Sequence, residues 1–106
     1  MKVYIAGQIT GNANYREEFA EAECQIRAWG YIPLNPALLP DGLESADYMR
    51  ICLAMLDSAD AIALLPSWMH SKGAGIEMSL AQYVDKRIMR LRLSGGDAVR
   101  AEEVEQ

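Results

Sequence analysis

Residues 61–65 read Ala-Ile-Ala-Leu-Leu, an unbroken apolar run of the kind found in strands that are buried on both faces. A second run of this type, Val3-Tyr4-Ile5-Ala6, lies near the start of the chain and ends at Gly7. Strands buried on both faces are typical of parallel sheets covered by helices. We therefore predict that these two runs are neighbouring strands at the centre of an open parallel sheet.

Helical periodicity fills the chain between these strands. Apolar residues recur at steps of three and four from Phe19 to Trp29, and Gly30 follows as a C-terminal cap. Residues 31–34 form a short apolar run whose proline favours an edge strand. A second helix is predicted from Ser45 to about Ser58. Its predicted inward stripe consists of Tyr48, Ile51, Cys52, Met55 and Leu56.

The remaining segments complete an alternating pattern. After a predicted loop over residues 66–75, a third helix is indicated by apolar residues at helical spacing, which are Ile76, Leu80, Tyr83 and Val84. Residues 87–93 are predicted to form a fourth strand. This order predicts a three-layer α/β fold with about four parallel strands in the order 2-1-3-4 and helices on both faces. We assign residues 1–93 to the domain and residues 94–106 to a C-terminal helix or acidic tail.

Composition narrows the function classes. The 106 residues suffice for one domain, and the net charge of −5 argues against a nucleic-acid partner. No apolar run approaches the ~20 residues of a membrane span, and the N-terminus does not have the pattern of a secretory signal. Cys24 and Cys52 alone do not define a disulfide framework. We expect a soluble cytoplasmic protein with no membrane partner, no metal and no cofactor.

Ligands of such sheets bind beyond the carboxyl ends of the strands, where two loops stand out. The first, residues 7–12, offers backbone access at Gly7 and Gly11 and neutral hydrogen-bonding groups at Gln8 and Thr10. It lacks the third glycine of a dinucleotide-binding motif. A tight turn without any ligand explains it equally well.

The second loop, residues 71–77, contains a hydroxyl, two glycines and a carboxylate at the start of the third helix. Unpaired N–H groups and the helix dipole attract anions there. We expect Glu77 to stay ionised and to be available as a nucleophile. The alternative is an exposed first-turn glutamate that is present only because the dipole favours it.

Together these motifs resemble the nucleoside 2-deoxyribosyltransferase-like family, which includes the 2'-deoxynucleoside 5'-phosphate N-hydrolases, and in particular its small members from phages and prophages. The resemblance spans Met1 to about Leu91. It rests on residues 4–7 with Gly11, on Asp60 before the third strand, and on an S-x-G-x-G-x-E pattern. The residues of that pattern are Ser71, Gly73, Gly75 and Glu77. It implies a flavodoxin-like sheet and cleavage of the N-glycosidic bond of a nucleoside or nucleotide.

The resemblance also implies roles for single residues. Glu77 would attack C1' of the sugar, as hydrolase or transferase, and Ser71 would bind a 5'-phosphate with help from Lys72 and the N–H groups of residues 73–75. Tyr4 and residues 8–10 would line the sugar end of the site. Relatives place part of each site on a neighbouring subunit, which implies a homodimer or larger homo-oligomer.

Three positions depart from the family pattern. Cys52 stands where the family has its second catalytic acid, and no carboxylate lies three, four or seven residues away on that helix face. Gln8 replaces a serine, and Thr10 replaces an arginine of the phosphate-accepting members. These losses leave open a nucleotide-binding or sensing module without catalysis, or a phage-type protein that binds a host partner.

Other residues beside these loops have two readings. His70 is a candidate substitute proton donor, although it can equally be a plain loop residue. Trp68 and Tyr48 are candidates for stacking on a base, with core or loop packing as the alternative. Cys52 itself fits a small buried hydrophobe better than a nucleophile.

Overall fold

The computed structural model describes residues 1–94 and 97–103. The strands in these ranges are β1 (Lys2–Ala6), β2 (Ile32–Leu34), β3 (Ala61–Leu64), β4 (Arg87–Ser94) and β5 (Asp97–Glu103). The helices are α1 (Tyr15–Ala28), α2 (Ser45–Ser58) and α3 (Lys72–Tyr83), with 3-10 turns at Pro36–Leu38 and Pro66–His70.

The strands form one sheet in the order β2-β1-β3-β4-β5, in which the first four strands are parallel. This confirms the predicted order 2-1-3-4 and the edge position of β2. The register aligns Val3 with Ala61 and Ala6 with Leu64, so β1 and β3 end at the same edge of the sheet. The loops that follow them therefore start side by side.

The expectation of a helix or tail after residue 93 is corrected by β5, which pairs antiparallel with β4. This pairing supplies partners to backbone groups that β4 would otherwise expose as a sheet edge. Residues 95–96 and 104–106 of that segment lie outside the described residues.

The side chains of β1 alternate between two layers, as the period of a strand requires. Val3 and Ile5 pack in one core with α1, whereas Tyr4 and Ala6 pack in a second core with α2 and α3. Helices therefore cover both faces of the sheet, which confirms the three-layer prediction. Because Tyr4 points to the α2 and α3 side, its hydroxyl can reach side chains of those helices.

The predicted helices form, but the faces they bury differ in part from expectation. The α1 stripe is confirmed, and Gly30 adopts a φ of +84° after it. On α2, Cys52 is buried, whereas Ile51 is exposed and not inward as predicted.

On α3 the buried residues are Ala74, Glu77, Met78 and Ala81. Three residues of the apolar stripe that indicated this helix, Ile76, Tyr83 and Val84, are exposed. The helix also begins at Lys72, so residues 72–75 are helical and the predicted loop is shorter than expected. None of the helices in the described part of the chain is both long and apolar enough to cross a membrane.

Candidate active site

A cavity of about 720 Å³ lies at the carboxyl edge of the sheet. It is bounded by the loop after β1, the segment after β2, the first half of α2 and the start of α3. The predicted site residues that line it are Tyr4, Gly7, Thr10, Cys52, His70, Ser71, Lys72, Gly73 and Glu77. The topology thus brings together residues from both loops that the sequence singled out.

Glu77 is buried at the floor of this cavity, with 6% of its surface exposed. The hydroxyl of Tyr4 donates a hydrogen bond of 2.7 Å to its Oε2 atom. Ser71 caps α3 by accepting a hydrogen bond from the N–H of Ala74, which sets the start of the helix. Glu77 lies six residues after this cap, or about 9 Å along the helix axis. The helix therefore aims a carboxylate at β1 while its N-terminus stays at the mouth.

Burial raises the pKa of Glu77 to about 7, although the hydrogen bond from Tyr4 acts in the opposite direction. The alternative of an exposed first-turn glutamate is wrong, because Glu77 lies in the second turn of α3 and is enclosed. The raised pKa also means that the expected full ionisation is not reached at neutral pH. Both the protonated and the ionised carboxyl group are therefore populated near neutral pH. Burial, and then the charge of Glu77, raise the pKa of Tyr4, so its hydroxyl remains a donor.

Cys52 lines the cavity close to these two residues, at the position where the resemblance implies an acid. Burial raises the pKa of its thiol, a hydrogen bond with Tyr4 lowers it, and the charge of Glu77 raises it again. The thiol is therefore protonated at neutral pH, and a thiolate nucleophile is not favoured. Its burial fits the small-hydrophobe reading.

The start of α3 faces the cavity through Lys72 and Gly73. The N–H groups of the first helical residues have no partner inside a helix, and the side chain of Ser71 satisfies that of Ala74. Ser71, Lys72 and Gly73 thus line the cavity at a helix start whose first N–H groups have no partner within the helix. This arrangement suits an anion.

Five of the predicted residues do not line the cavity, and these are Gln8, Gly11, Asp60, Trp68 and Gly75. Asp60 lies at the opposite edge of the sheet, where it accepts a 2.8 Å hydrogen bond from the backbone N–H of Lys2. That hydrogen bond lowers the pKa of Asp60. Trp68 packs against the core beneath α3.

The loop after β1 faces the cavity and also packs against the residues that follow β3. A Cβ atom at Gly7 would lie 2.9 Å from Cβ of Leu65, so only glycine permits this approach to the end of β3. The backbone N–H of Gln8 donates to Oγ of Ser67 at 3.0 Å. Gly11 has a φ of +81°, which marks a turn residue. Gln8 and Gly11 therefore have structural partners or geometry that explain them.

The sequence analysis missed the segment after β2. Pro36, Ala37, Leu39 and Asp41 line the cavity, as do Tyr15 of α1 and Tyr48 and Met49 of α2. Tyr48 had been noted as a candidate for base stacking. The rule that ligands bind at the carboxyl ends of parallel strands also applies to β2, and this signal would have identified the segment.

In the part of the chain that the structure describes, no three His, Cys, Asp or Glu side chains gather as a ligand set for a metal.

Comparison with solved structures agrees with this topology. The chain superposes with a TM-score of 0.67 and 17% identity on a 2-deoxyribosyltransferase from the psychrotolerant bacterium Bacillus psychrosaccharolyticus, covering 85% of this chain and 71% of that one. A 2-desoxiribosyltransferase from Leishmania mexicana gives the same score and identity, with 93% and 77% covered. These likenesses establish a shared fold.

No curated protein matches the sequence. A family model described as a domain of unknown function, DUF4406, matches residues 1–90, which is most of the chain. The protein therefore belongs to the DUF4406 family, built on the fold of the 2-deoxyribosyltransferases.

Proposed function

We propose that this protein cleaves the N-glycosidic bond of a nucleoside 5'-monophosphate, with Glu77 as the nucleophile. The observation that carries the proposal is a buried carboxylate, held at 2.7 Å by a tyrosine hydroxyl, on the floor of a cavity of about 720 Å³. Ligand pockets generally range from about 300 to 1,000 Å³, so a nucleotide fits. The shared fold with two 2-deoxyribosyltransferases supports the same chemistry.

The distribution of charge favours one orientation of the substrate. The phosphate would lie at the start of α3, near Ser71 and Lys72. Glu77 is about 9 Å further along the helix, which leaves space for a pentose between the phosphate and the carboxylate. The base would then extend toward α2 and the segment after β2.

The reaction would proceed through a covalent intermediate. An oxygen of ionised Glu77 forms a bond to C1' while the bond between C1' and the base nitrogen breaks. The electron pair leaves with the base, which takes a proton from His70 at the cavity wall or from water. Water or a second base then attacks C1' while the bond between C1' and the Glu77 oxygen breaks. The carboxylate is restored, and the nucleophile loses its proton to His70 or to solvent. Hydrolysis and transfer share the first step.

A second candidate function is nucleotide binding without catalysis, and Cys52 favours it. The thiol occupies the place of the acid that the resemblance implies, and its raised pKa keeps it protonated. A neutral thiol can neither orient a substrate as a carboxylate does nor replace its charge. Binding of nucleotides without turnover is the outcome expected in this case.

Incubation of the purified protein with a panel of nucleoside and deoxynucleoside 5'-monophosphates tests the proposal, with chromatography to detect free base. We expect release of at least one base, and loss of this activity in Glu77→Gln. Absence of free base from every nucleotide contradicts cleavage. Nucleotide binding by calorimetry in that case supports the binding module, and a Cys52→Asp variant that gains hydrolysis would identify the missing acid as the cause.

We also propose that the chain acts in the cytoplasm as a homodimer or larger homo-oligomer. On α3, Ile76 and Tyr83 are 53% and 87% exposed, and Ile76 lines the cavity as well. A second copy seated on this apolar face would lie beside the cavity mouth.

Light scattering should give at least twice the 11.8 kDa of one chain, and Tyr83→Ser should lower that mass. A monomeric mass for the unmodified protein contradicts the proposal, and recovery of a host protein with the monomer would favour the host-partner reading.

A further inference from the structure

The cavity is lined by a second carboxylate, which the reaction described above does not use. Among the described residues that line the cavity, Asp41 and Glu77 are the two that carry carboxylates. Glu77 lies on the floor, whereas Asp41 belongs to the turn after β2. The side chain of Asp41 is 81% exposed, so it lies on the open side of the cavity, where a ligand can reach it.

The turn that carries Asp41 is fixed from two helices. The hydroxyl of Tyr48 on α2 donates to the carbonyl oxygen of Pro40 at 2.7 Å and accepts from the N–H of Leu43 at 3.4 Å. From α1, Nη2 of Arg16 lies 3.1 Å from both carboxylate oxygens of Asp41. Tyr48 therefore holds the backbone of the turn, and Arg16 forms an exposed ion pair with the carboxylate that the turn carries.

The surroundings of Asp41 suit a flat heterocycle. The guanidinium of Arg16 lies over the ring of Tyr15 at 5.1 Å, and Tyr15 lines the cavity. Tyr48 and Leu39 line the same cavity, so two aromatic rings and an aliphatic side chain are available there for stacking on a base. Nucleobases stack on such rings, and their edges are read by polar groups.

The charges of the residues that line the cavity determine which part of a nucleotide binds beside Asp41. The phosphate is favoured at the start of α3, next to Lys72, and is disfavoured beside Asp41. A carboxylate oxygen that pairs with an arginine accepts hydrogen bonds. It therefore favours a base edge with an N–H donor and disfavours an edge that presents a carbonyl oxygen.

Resting on the proposed function, we infer that Asp41 is a specificity residue that selects nucleobases with an exocyclic amino group. Adenine and cytosine carry this group, whereas hypoxanthine and uracil carry a carbonyl oxygen in the same place. Arg16 is a positioning residue that holds the carboxylate. A hydrogen bond to a charged acceptor predicts a preference of about 10-fold or more for the amino member of each pair.

The test is calorimetric binding of matched nucleotides in a Glu77→Gln background, where turnover does not interfere. The pairs are 2'-deoxycytidine with 2'-deoxyuridine 5'-monophosphate, and 2'-deoxyadenosine with 2'-deoxyinosine 5'-monophosphate. We expect the amino member to bind about 10-fold more tightly in each pair. Adding Asp41→Asn should abolish or reverse the preference, because an amide can also donate to a carbonyl oxygen. Asp57→Asn, on the exposed end of α2, is the matched control and should preserve it.

Two further results separate this inference from the proposed function. Binding with no preference in the Asp41-containing protein, or an equal loss for both members in Asp41→Asn, overturns selection by Asp41 and leaves glycosidase chemistry intact. Failure of every nucleotide to bind contradicts the proposed function and the inference with it. Arg16→Gln supplies an independent check, since loss of the positioning residue should reduce the preference for the amino member, and an unchanged or increased preference in this variant contradicts the positioning role of Arg16.

Discussion

Glu77 and Asp60 carry carboxyl groups near opposite edges of the same sheet. Their surroundings shift the two pKa values in opposite directions. Glu77 faces the cavity at the carboxyl edge, where burial raises its pKa to about 7. Asp60 is exposed at the amino edge, where the N–H of Lys2 and nearby positive charges lower its pKa. The parallel strands make the two edges different, since the loops that form a pocket follow the carboxyl ends. The carboxylate suited to chemistry is the one that the fold encloses.

The largest expected difference between substitutions at Glu77 and at Asp60 is in the rate of base release. Glu77→Gln removes the nucleophile while keeping an oxygen that can accept from Tyr4, so base release should fall by at least about 10³-fold. Asp60→Asn, as the matched variant at the other edge, should stay within about twofold of the unmodified protein. Initial rates of base release measure both. Equal losses in the two variants would abolish the distinction between the edges.

Where water supplies the proton to the leaving base, the pH dependence of the rate should follow the ionisation of Glu77. The attacking form is ionised, and with a pKa of about 7 its fraction rises as pH increases, giving a gain of about 100-fold between pH 5 and pH 8. Tyr4→Phe removes the hydrogen bond that lowers this pKa, so its profile should shift to higher pH. Rates across that range measure both profiles. A flat profile below pH 7 contradicts the role of Glu77.

Stability should respond to pH with opposite signs at the two sites. The pKa of Glu77 rises from 4.5 to about 7 on folding, so the folded state binds more protons between these values, and its stability falls as pH rises through them. Glu77→Gln cannot lose stability in this way, because glutamine does not ionise. At pH 8 the variant should be more stable than the unmodified protein, by at most on the order of 3 kcal/mol, whereas at pH 4 it should have no such advantage. The lowered pKa of Asp60 contributes stability above its unfolded pKa, which is lost as pH falls through the folded pKa.

Urea denaturation at both pH values measures these differences. Asp60→Asn should be less stable than the unmodified protein at neutral pH and should differ less from it in acid. If Glu77→Gln instead loses stability at pH 8, the carboxylate is not strained by burial.

The two glycines of α3 provide the smallest and most local contrast. A Cβ atom at Gly75 meets nothing within 4 Å, and at Gly73 its nearest contact is Cε of Met49 at 3.5 Å. Alanine at either helical position should therefore stabilise the protein by roughly 0.5–1 kcal/mol. Only Gly73 lines the cavity, so Gly73→Ala should weaken nucleotide binding while Gly75→Ala leaves it unchanged. Thermal unfolding and calorimetry distinguish them, and an equal loss of affinity in both would argue against anion binding at the start of α3.

The sheet order and the position of the cavity were predictable because they follow from local patterns. The apolar runs of β1 and β3 and the glycine after β1 suffice to place two loops at one edge. The pairing of Glu77 with Tyr4 was not predictable from spacing, since 73 residues separate them and only the side-chain alternation of β1 points Tyr4 toward α3.

Other differences between the predictions and the structure also have physical causes. The apolar residues at 76, 83 and 84 have the same spacing whether that face is buried or exposed, so periodicity identified the helix but not its orientation. The resemblance included Asp60, but its place before the third strand puts it at the amino edge of the sheet, away from the cavity. Asp41 stands between Pro40 and Gly42, and this sequence is typical of a turn. The pattern therefore gave no reason to predict a role for Asp41 in ligand binding.

Covalent labelling tests the central claim most directly. A nucleotide whose sugar carries fluorine at C2' slows release of the glycosyl-enzyme, so the sugar phosphate can be located by mass spectrometry of peptides. Glycosidase chemistry through the enclosed carboxylate predicts one sugar phosphate on Glu77, no label in Glu77→Gln, and labelling that increases with pH through about 7. Base release accompanied by a label on Cys52, or by no label on Glu77, would contradict it.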